Sequence, residues 1–183
     1  MRGAGRLAVP LVGYVRVMSR IMSVSDSVRV GVDPLTVYGQ ISDPTLMGRW
    51  SPENRGAKVA RPREGAYVGM EFEGFNKRGF ARWVTRCVVT AAEPGVRFAF
   101  RVEAIGARRP WLRGGIASWE YRFEAEGGGT RVTETWRDDR VRWPDAAVQV
   151  FDRIVTGGDT FVEFQRENIR RTLRNLQQRI ESV

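Results

Sequence analysis

An α+β fold is predicted by this 183-residue sequence: a curved antiparallel β-sheet of about six to seven strands wrapped around a long C-terminal α-helix, with two short helices after the first strand. Three observations predict it. The C-terminal segment carries one sustained helical stripe. The middle of the chain alternates apolar and polar residues in consecutive runs joined by short turns. A helix-start signal, Asp33-Pro34, follows the first strand-like run.

The first strand is expected over Val24 to Gly31, with Val24, Val28 and Val30 as its apolar positions. Asp33 then suits an N-cap and Pro34 the first helical position, where a missing N–H costs nothing. The helix carries Leu35, Val37, Tyr38 and Ile41 and stops near Asp43-Pro44. A second short helix through Leu46 and Met47 reaches Trp50.

Strands are expected over Ala57 to Arg61, Tyr67 to Phe75, Gly79 to Val89, Val96 to Ile105, Gly115 to Glu124 and Thr130 to Arg137. Their connections carry turn chemistry in Asn76-Lys77-Arg78-Gly79, Glu93-Pro94-Gly95 and Gly127-Gly128-Gly129. Short turns between consecutive strands imply an antiparallel meander. The tail is helical. A first segment starts at Trp143-Pro144-Asp145 and runs through Phe151 and Ile154 to a break at Gly157-Gly158. Thr160 with Glu163 forms a capping-box pattern, after which Val162, Ile169, Leu173, Leu176 and Ile180 recur at helical spacing. Only this last helix is long enough to cover one face of the sheet.

Composition excludes several chemistries. The sequence has no histidine, which removes Ser-His-Asp and Cys-His schemes and imidazole ligation. A single cysteine, Cys87, forms neither an internal disulfide nor a multi-cysteine metal site, so a reducing cytoplasm is the natural setting. No cofactor or metal is called for. Adjacent Asp138-Asp139 lacks the further oxygen ligands that a hard cation needs. No stretch is long and apolar enough to span a membrane.

The formal charge is +9, and Lys58 and Lys77 are the lysines in a surplus that is otherwise arginine. Arg29, Arg61, Arg82, Arg101, Arg122, Arg140 and Arg170 fall in separate elements. That scatter reads as solvated surface rather than a nucleic-acid site, whose footprint is usually clustered. Residues 1–21 have a basic start and an apolar run from Leu7 to Val15, but Arg16 and Arg20 follow directly. They read as a leader, disordered or from a mis-assigned start, ahead of one domain over residues 22–183.

The order of elements and several motifs together resemble the SRPBCC superfamily, also called START-like or helix-grip, in its polyketide cyclase/dehydrase branch. The motifs are Asp33-Pro34, Trp50-Ser51-Pro52-Glu53, Gly74-Phe75-Asn76-Lys77-Arg78-Gly79 with Trp83, and Glu93-Pro94-Gly95 before Phe98-Ala99-Phe100. The last is Gly129-Thr130-Arg131-Val132-Thr133-Glu134-Thr135-Trp136. The resemblance covers about Ser23 to Val183. It implies an internal cavity: members bind lipids, sterols, polyketides or plant hormones, and some catalyse cyclisation or dehydration of polyketides. It also implies that Trp50 and Glu53 border the cavity mouth.

Strand alternation selects the inward side chains. It points Trp83 and Cys87, then Phe98 and Phe100, then Trp119, Tyr121 and Phe123 to one concave face. Phe72, Phe161 and Phe164 add to this aromatic surface, which either fills the interior or lines a ligand cavity. Val132 and Trp136 flank Glu134, so an inward-facing Val132–Trp136 set carries a buried carboxylate with it. Such a group is costly unless paired or protonated. It is either ion-paired to an arginine or, with the Tyr121 hydroxyl, the polar or catalytic end of a ligand site. Cys87 lacks an activating base and reads as an inert buried thiol.

The expected function is binding of a small hydrophobic molecule, a lipid or a polyketide-like aromatic. The alternatives are a cyclase or dehydratase working through Glu134 and Tyr121, and an arginine-rich regulatory interaction module. A homodimer is left open.

Overall fold

The computed structural model describes residues 22–141, 143–156 and 161–182. The leader over residues 1–21, the Gly157-Gly158 break and Thr160 lie outside them. The elements run β1 (Ser23–Val30), α1 (Pro34–Ile41), a 3-10 helix (Pro44–Arg49), β2 (Asn54–Val59), β3 (Glu71–Arg78), β4 (Ala81–Glu93) and β5 (Arg97–Gly106). β6 (Leu112–Glu126), β7 (Gly129–Asp138), α2 (Asp145–Thr156) and α3 (Phe161–Glu181) complete the chain. The seven strands form one antiparallel sheet in the order β1-β7-β6-β5-β4-β3-β2.

Local chemistry explains the ends of the elements. Asp33 caps α1: its Oδ1 accepts from the N–H groups of Leu35 and Thr36 at 3.0 and 3.1 Å. Asp43 does the same for the 3-10 helix, accepting from the Thr45 N–H at 2.9 Å. β6 and β7 are joined by two residues, Gly127 and Gly128, with φ of 55° and 79°. Two positive φ values in a two-residue loop give a turn whose twist matches the strands, and glycine adopts them without strain. Gly129 answers a different need. A Cβ there would collide with the Val30 carbonyl, so its lack of a side chain lets β1 close against β7.

The expected strand from Tyr67 begins instead at Glu71. Gly69 has a φ of 85° and its N–H donates to the Val89 carbonyl at 2.8 Å, so the preceding residues turn rather than extend. β2 starts earlier than expected, at Asn54, through a bulge before Ala57.

The first strand does not extend the meander at its start. It pairs with β7, while β2 forms the opposite edge, so α1 and the 3-10 helix carry the chain across the sheet. α1 packs on β5, β6 and β7, with Tyr38 edge-on to Phe123 at 5.7 Å. α3 buries Ile169, Leu173 and Leu176 and lies mainly against β1 and β7. No helix among the described residues is long and apolar enough to cross a membrane.

One arginine departs from the solvated reading. Arg140 is 1% exposed and grips Asp138 through two hydrogen bonds of 2.9 Å, Nε to Oδ1 and Nη2 to Oδ2. Its Nη1 donates to Asp152 Oδ1 of α2 at 2.6 Å. The planar guanidinium therefore fastens α2 to the end of β7. Asp138 is thereby engaged, and Asp139 accepts from the Ser118 hydroxyl. Removing the cation strands a buried carboxylate. Arg140→Ala is expected to destabilise the fold by about 3–5 kcal/mol in urea unfolding, against less than about 1 kcal/mol for the exposed Arg122→Ala.

Candidate functional site

Between α3 and the concave face of the sheet lies a cavity of about 150 Å³. Its floor comes from alternate residues of β3 to β7: Phe72, then Trp83, Thr85 and Cys87, then Phe100 and Val102, then Trp119 and Tyr121, then Glu134 and Trp136. Trp50 and Glu53 close one side. Phe164, Gln165, Asn168 and Thr172 of α3 close the top.

The polar centre is a cross-strand pair. Tyr121 and Glu134 stand directly opposite each other on β6 and β7, and the Tyr121 hydroxyl donates to Glu134 Oε1 at 2.9 Å. Glu134 is 1% exposed, and its Oε2 has no partner among the described residues. Burial among apolar walls pushes its pKa up to about 8, the Tyr121 hydrogen bond offsetting part of that rise. Burial, with Glu134 beside it, also drives the Tyr121 phenol well above its ordinary value. At neutral pH the pair is a neutral phenol bonded to a neutral carboxylic acid. The second oxygen of that acid is then free to exchange a hydrogen bond with whatever enters.

Glu53 is a second unusual carboxyl on the same cavity. Burial raises its pKa to about 7, against the lowering pull of Arg78 and Arg171. Its Oε1 lies 3.8 Å from Arg78 Nε, too far for a hydrogen bond. Arg78 also sits 4.4 Å above the Phe164 ring. Phe164, Glu53 and Asn168 are shared with a surface groove of about 650 Å³ between the β3–β4 hairpin and α3. These three side chains therefore stand between the enclosed space and the outside.

Eleven of the residues singled out in the sequence line the cavity: Trp50, Glu53, Phe72, Trp83, Cys87, Phe100, Trp119, Tyr121, Glu134, Trp136 and Phe164. Phe98 and Phe123 are buried but do not line it. Phe98 packs on Phe100, and Phe123 packs on Tyr38 of α1, at the far end of the same face. The side chain of Phe161 lies outside the described residues. Cys87 is buried, its thiol pushed up to about 12 by desolvation, so it is protonated and unreactive as a nucleophile. The partner of Glu134 is Tyr121, not an arginine.

The sequence reading missed the polar stripe of α3. Gln165, Asn168 and Thr172 are buried and face the cavity, and Gln165 Oε1 has no partner among the described residues. The signal was their spacing of three and four, running beside the apolar stripe of Ile169, Leu173 and Leu176.

Residues 22–181 match the family described as polyketide cyclase / dehydrase and lipid transport. Among solved structures, a polyketide-cyclase-like protein from Corynebacterium glutamicum is 28% identical, with 90% of this chain and 94% of that one covered and a TM-score of 0.56. A protein from Thermus thermophilus is 15% identical over 87% of this chain and 97% of that one, with a TM-score of 0.62. A START superfamily protein from Mycobacterium smegmatis is 15% identical over 88% of this chain and 98% of that one, with a TM-score of 0.60. No curated protein sequence matches the chain.

The buried acid makes stability depend on pH in a known direction. Glu134 protonates at about 8 when folded and near the ordinary value of 4.5 when exposed. Between those values the folded state holds the extra proton, so stability falls as pH rises from about 4.5 to about 8. Glu134→Gln is expected to match the wild type at pH near 4 and to exceed it by about 2–4 kcal/mol at pH near 9, leaving only the smaller slope due to Glu53. Urea unfolding across that range checks it.

Proposed function

The chain belongs to the polyketide cyclase / dehydrase and lipid transport family, and we propose that it binds a small hydrophobic molecule, lipid or polyketide-like, between α3 and the sheet. The observation that carries the reading is Glu134 Oε2, a buried polar atom with no partner among the described residues, facing a largely apolar cavity. A buried polar group left unsatisfied costs free energy, and a ligand carbonyl or hydroxyl would recover it. The aromatic floor supplies the rest, at about 25 cal/mol per Å² of apolar surface removed from water. Tyr121 fixes the orientation of the acid and keeps it from turning away.

The enclosed space holds about 150 Å³, less than the roughly 300–1,000 Å³ of pockets for larger ligands. A molecule longer than a single ring therefore reaches past Phe164 into the adjoining groove. Swinging Phe164 away from Arg78 joins the two spaces without disturbing the sheet.

A second reading, a cyclase or dehydratase, draws on Glu53. It puts a second carboxyl, with a pKa of about 7, on the cavity that holds Glu134. Carboxyls whose pKa is raised toward neutrality are the usual means of moving a proton on and off a substrate. In that reading Glu134→Gln abolishes turnover of a linear polyketide while leaving binding intact.

Binding is tested with N-phenylnaphthylamine, a neutral apolar fluorophore, and by native mass spectrometry of the purified chain. Wild type is expected to bind the fluorophore and to carry a copurified apolar molecule. Ala117 is buried on the cavity wall, and Ala117→Leu, which fills the space, should weaken binding about tenfold with the fold intact by circular dichroism. No fluorophore binding and no retained molecule, or equal affinity for the filled variant, would refute the reading.

A further inference from the structure

Strand pairing brings two loops to one end of the sheet. Arg78 is opposite Ala81 at the β3–β4 turn, Val84 is opposite Gly106, and Ile105 is opposite Leu112. The β3–β4 turn and the β5–β6 loop are therefore neighbours. Each presents an aromatic side chain to solvent. Phe80 is fully exposed, at 106%, and Trp111 is 72% exposed. Trp111 folds against Gly106, where a Cβ would meet its ring at 2.7 Å.

Both loops are cationic. Lys77, Arg78 and Arg82 surround Phe80, and Arg108, Arg109 and Arg113 surround Trp111. No acidic residue occurs between Glu73 and Glu93 or between Glu103 and Glu120. Arg82, Arg108, Arg109 and Arg113 are exposed and have no ion-pair partner among the described residues. The opposite end of the sheet differs: its arginines stand beside carboxylates, Arg97 on Glu93 and Arg131 on Glu126, and its exposed apolar side chains are the aliphatic Leu35, Val68 and Val96.

We propose that the Phe80 and Trp111 loops dock this end of the sheet on the surface of an anionic lipid membrane. The two aromatic rings enter the interfacial layer, where flat amphipathic or apolar rings are favoured, and the arginines around them meet phosphate headgroups. Single-stranded RNA also attracts arginine and aromatic rings, but it is held in grooves lined by stacking platforms. Here Phe80 stands at the tip of a two-residue turn and Trp111 at the base of the neighbouring loop, against Gly106, and both rings are open to solvent rather than set in a groove. The β3–β4 hairpin also borders the groove that meets the cavity at Glu53 and Phe164. Docking would set that opening against the lipid. The docking does not depend on the cavity holding a ligand.

The test is sedimentation of the full chain with vesicles of phosphatidylcholine alone and of phosphatidylcholine with about 30% phosphatidylglycerol. The chain is expected to sediment with the anionic vesicles only, and to be released by about 0.5 M salt. The double variant Phe80→Ser/Trp111→Ser should lose about tenfold or more in vesicle affinity while still binding N-phenylnaphthylamine as the wild type does. Both positions are exposed, so the fold survives the change. Absence of sedimentation, equal binding to both compositions, or a double variant that binds vesicles like the wild type overturns the proposal. So does tight binding of single-stranded RNA without any vesicle binding.

Discussion

The space inside this molecule depends on where α3 is tied down, by polar side chains that reach the elements on either side of it. On one side Gln177 Nε2 donates to the Arg29 carbonyl of β1 at 2.8 Å, and Arg170 lies 3.3 Å from Asp26. On the other, Asn175 Nδ2 donates to the Trp50 carbonyl at 2.8 Å. Side chain to backbone bonds of this kind fix the height of the helix as well as its direction. The apolar stripe of Ile169, Leu173 and Leu176 is buried, while the neighbouring stripe of Gln165, Asn168 and Thr172 faces the open volume. A helix pressed flat by apolar contacts alone would close that volume, since interiors otherwise pack to crystal-like density.

Within that frame, two carboxyls of the same type acquire different roles. Glu134 sits on the floor, with Tyr121 as its donor and apolar walls around it. Desolvation dominates there, and the neutral acid is the favoured form near neutral pH. Glu53 sits at the edge, where Arg78 and Arg171 oppose the same effect and hold the rise to about 7. Burial drives both rises, and only Glu53 has arginines beside it to oppose the effect. Cys87, equally buried, goes the same way as Glu134: its neutral form is favoured, and it contributes polarisable volume rather than chemistry.

The two ends of the sheet are equally unlike each other. At one end Asp33 caps α1, and Gly127-Gly128 turns β6 into β7 in a tight loop. At the other, a two-residue turn and the longer β5–β6 loop, both cationic, carry exposed rings, and the Arg140 clamp anchors α2 beside them. Secondary structure alone does not ask for that asymmetry, because hairpin turns on an antiparallel sheet need no exposed aromatic side chain. The cavity opening faces the loop-rich end.

Alternation along the strands was enough to place Trp83, Cys87, Phe100, Trp119, Tyr121 and Glu134 on one face, since a side-chain period of two is a local property of extended chain. Local too were the Asp33 cap, the glycine turns and the α3 stripe. The rest depended on distances between elements far apart in sequence. Only tertiary structure put β1 beside β7, and it sent Phe123 into the packing beneath α1 and buried Phe98 beside Phe100, while their strand neighbours Phe100 and Tyr121 lined the cavity. Only it took Arg140 out of solvent and gave Glu134 a tyrosine instead of an arginine. Periodicity tells which way a side chain points. Whether another layer meets it there, and at what height, is decided when the layers assemble.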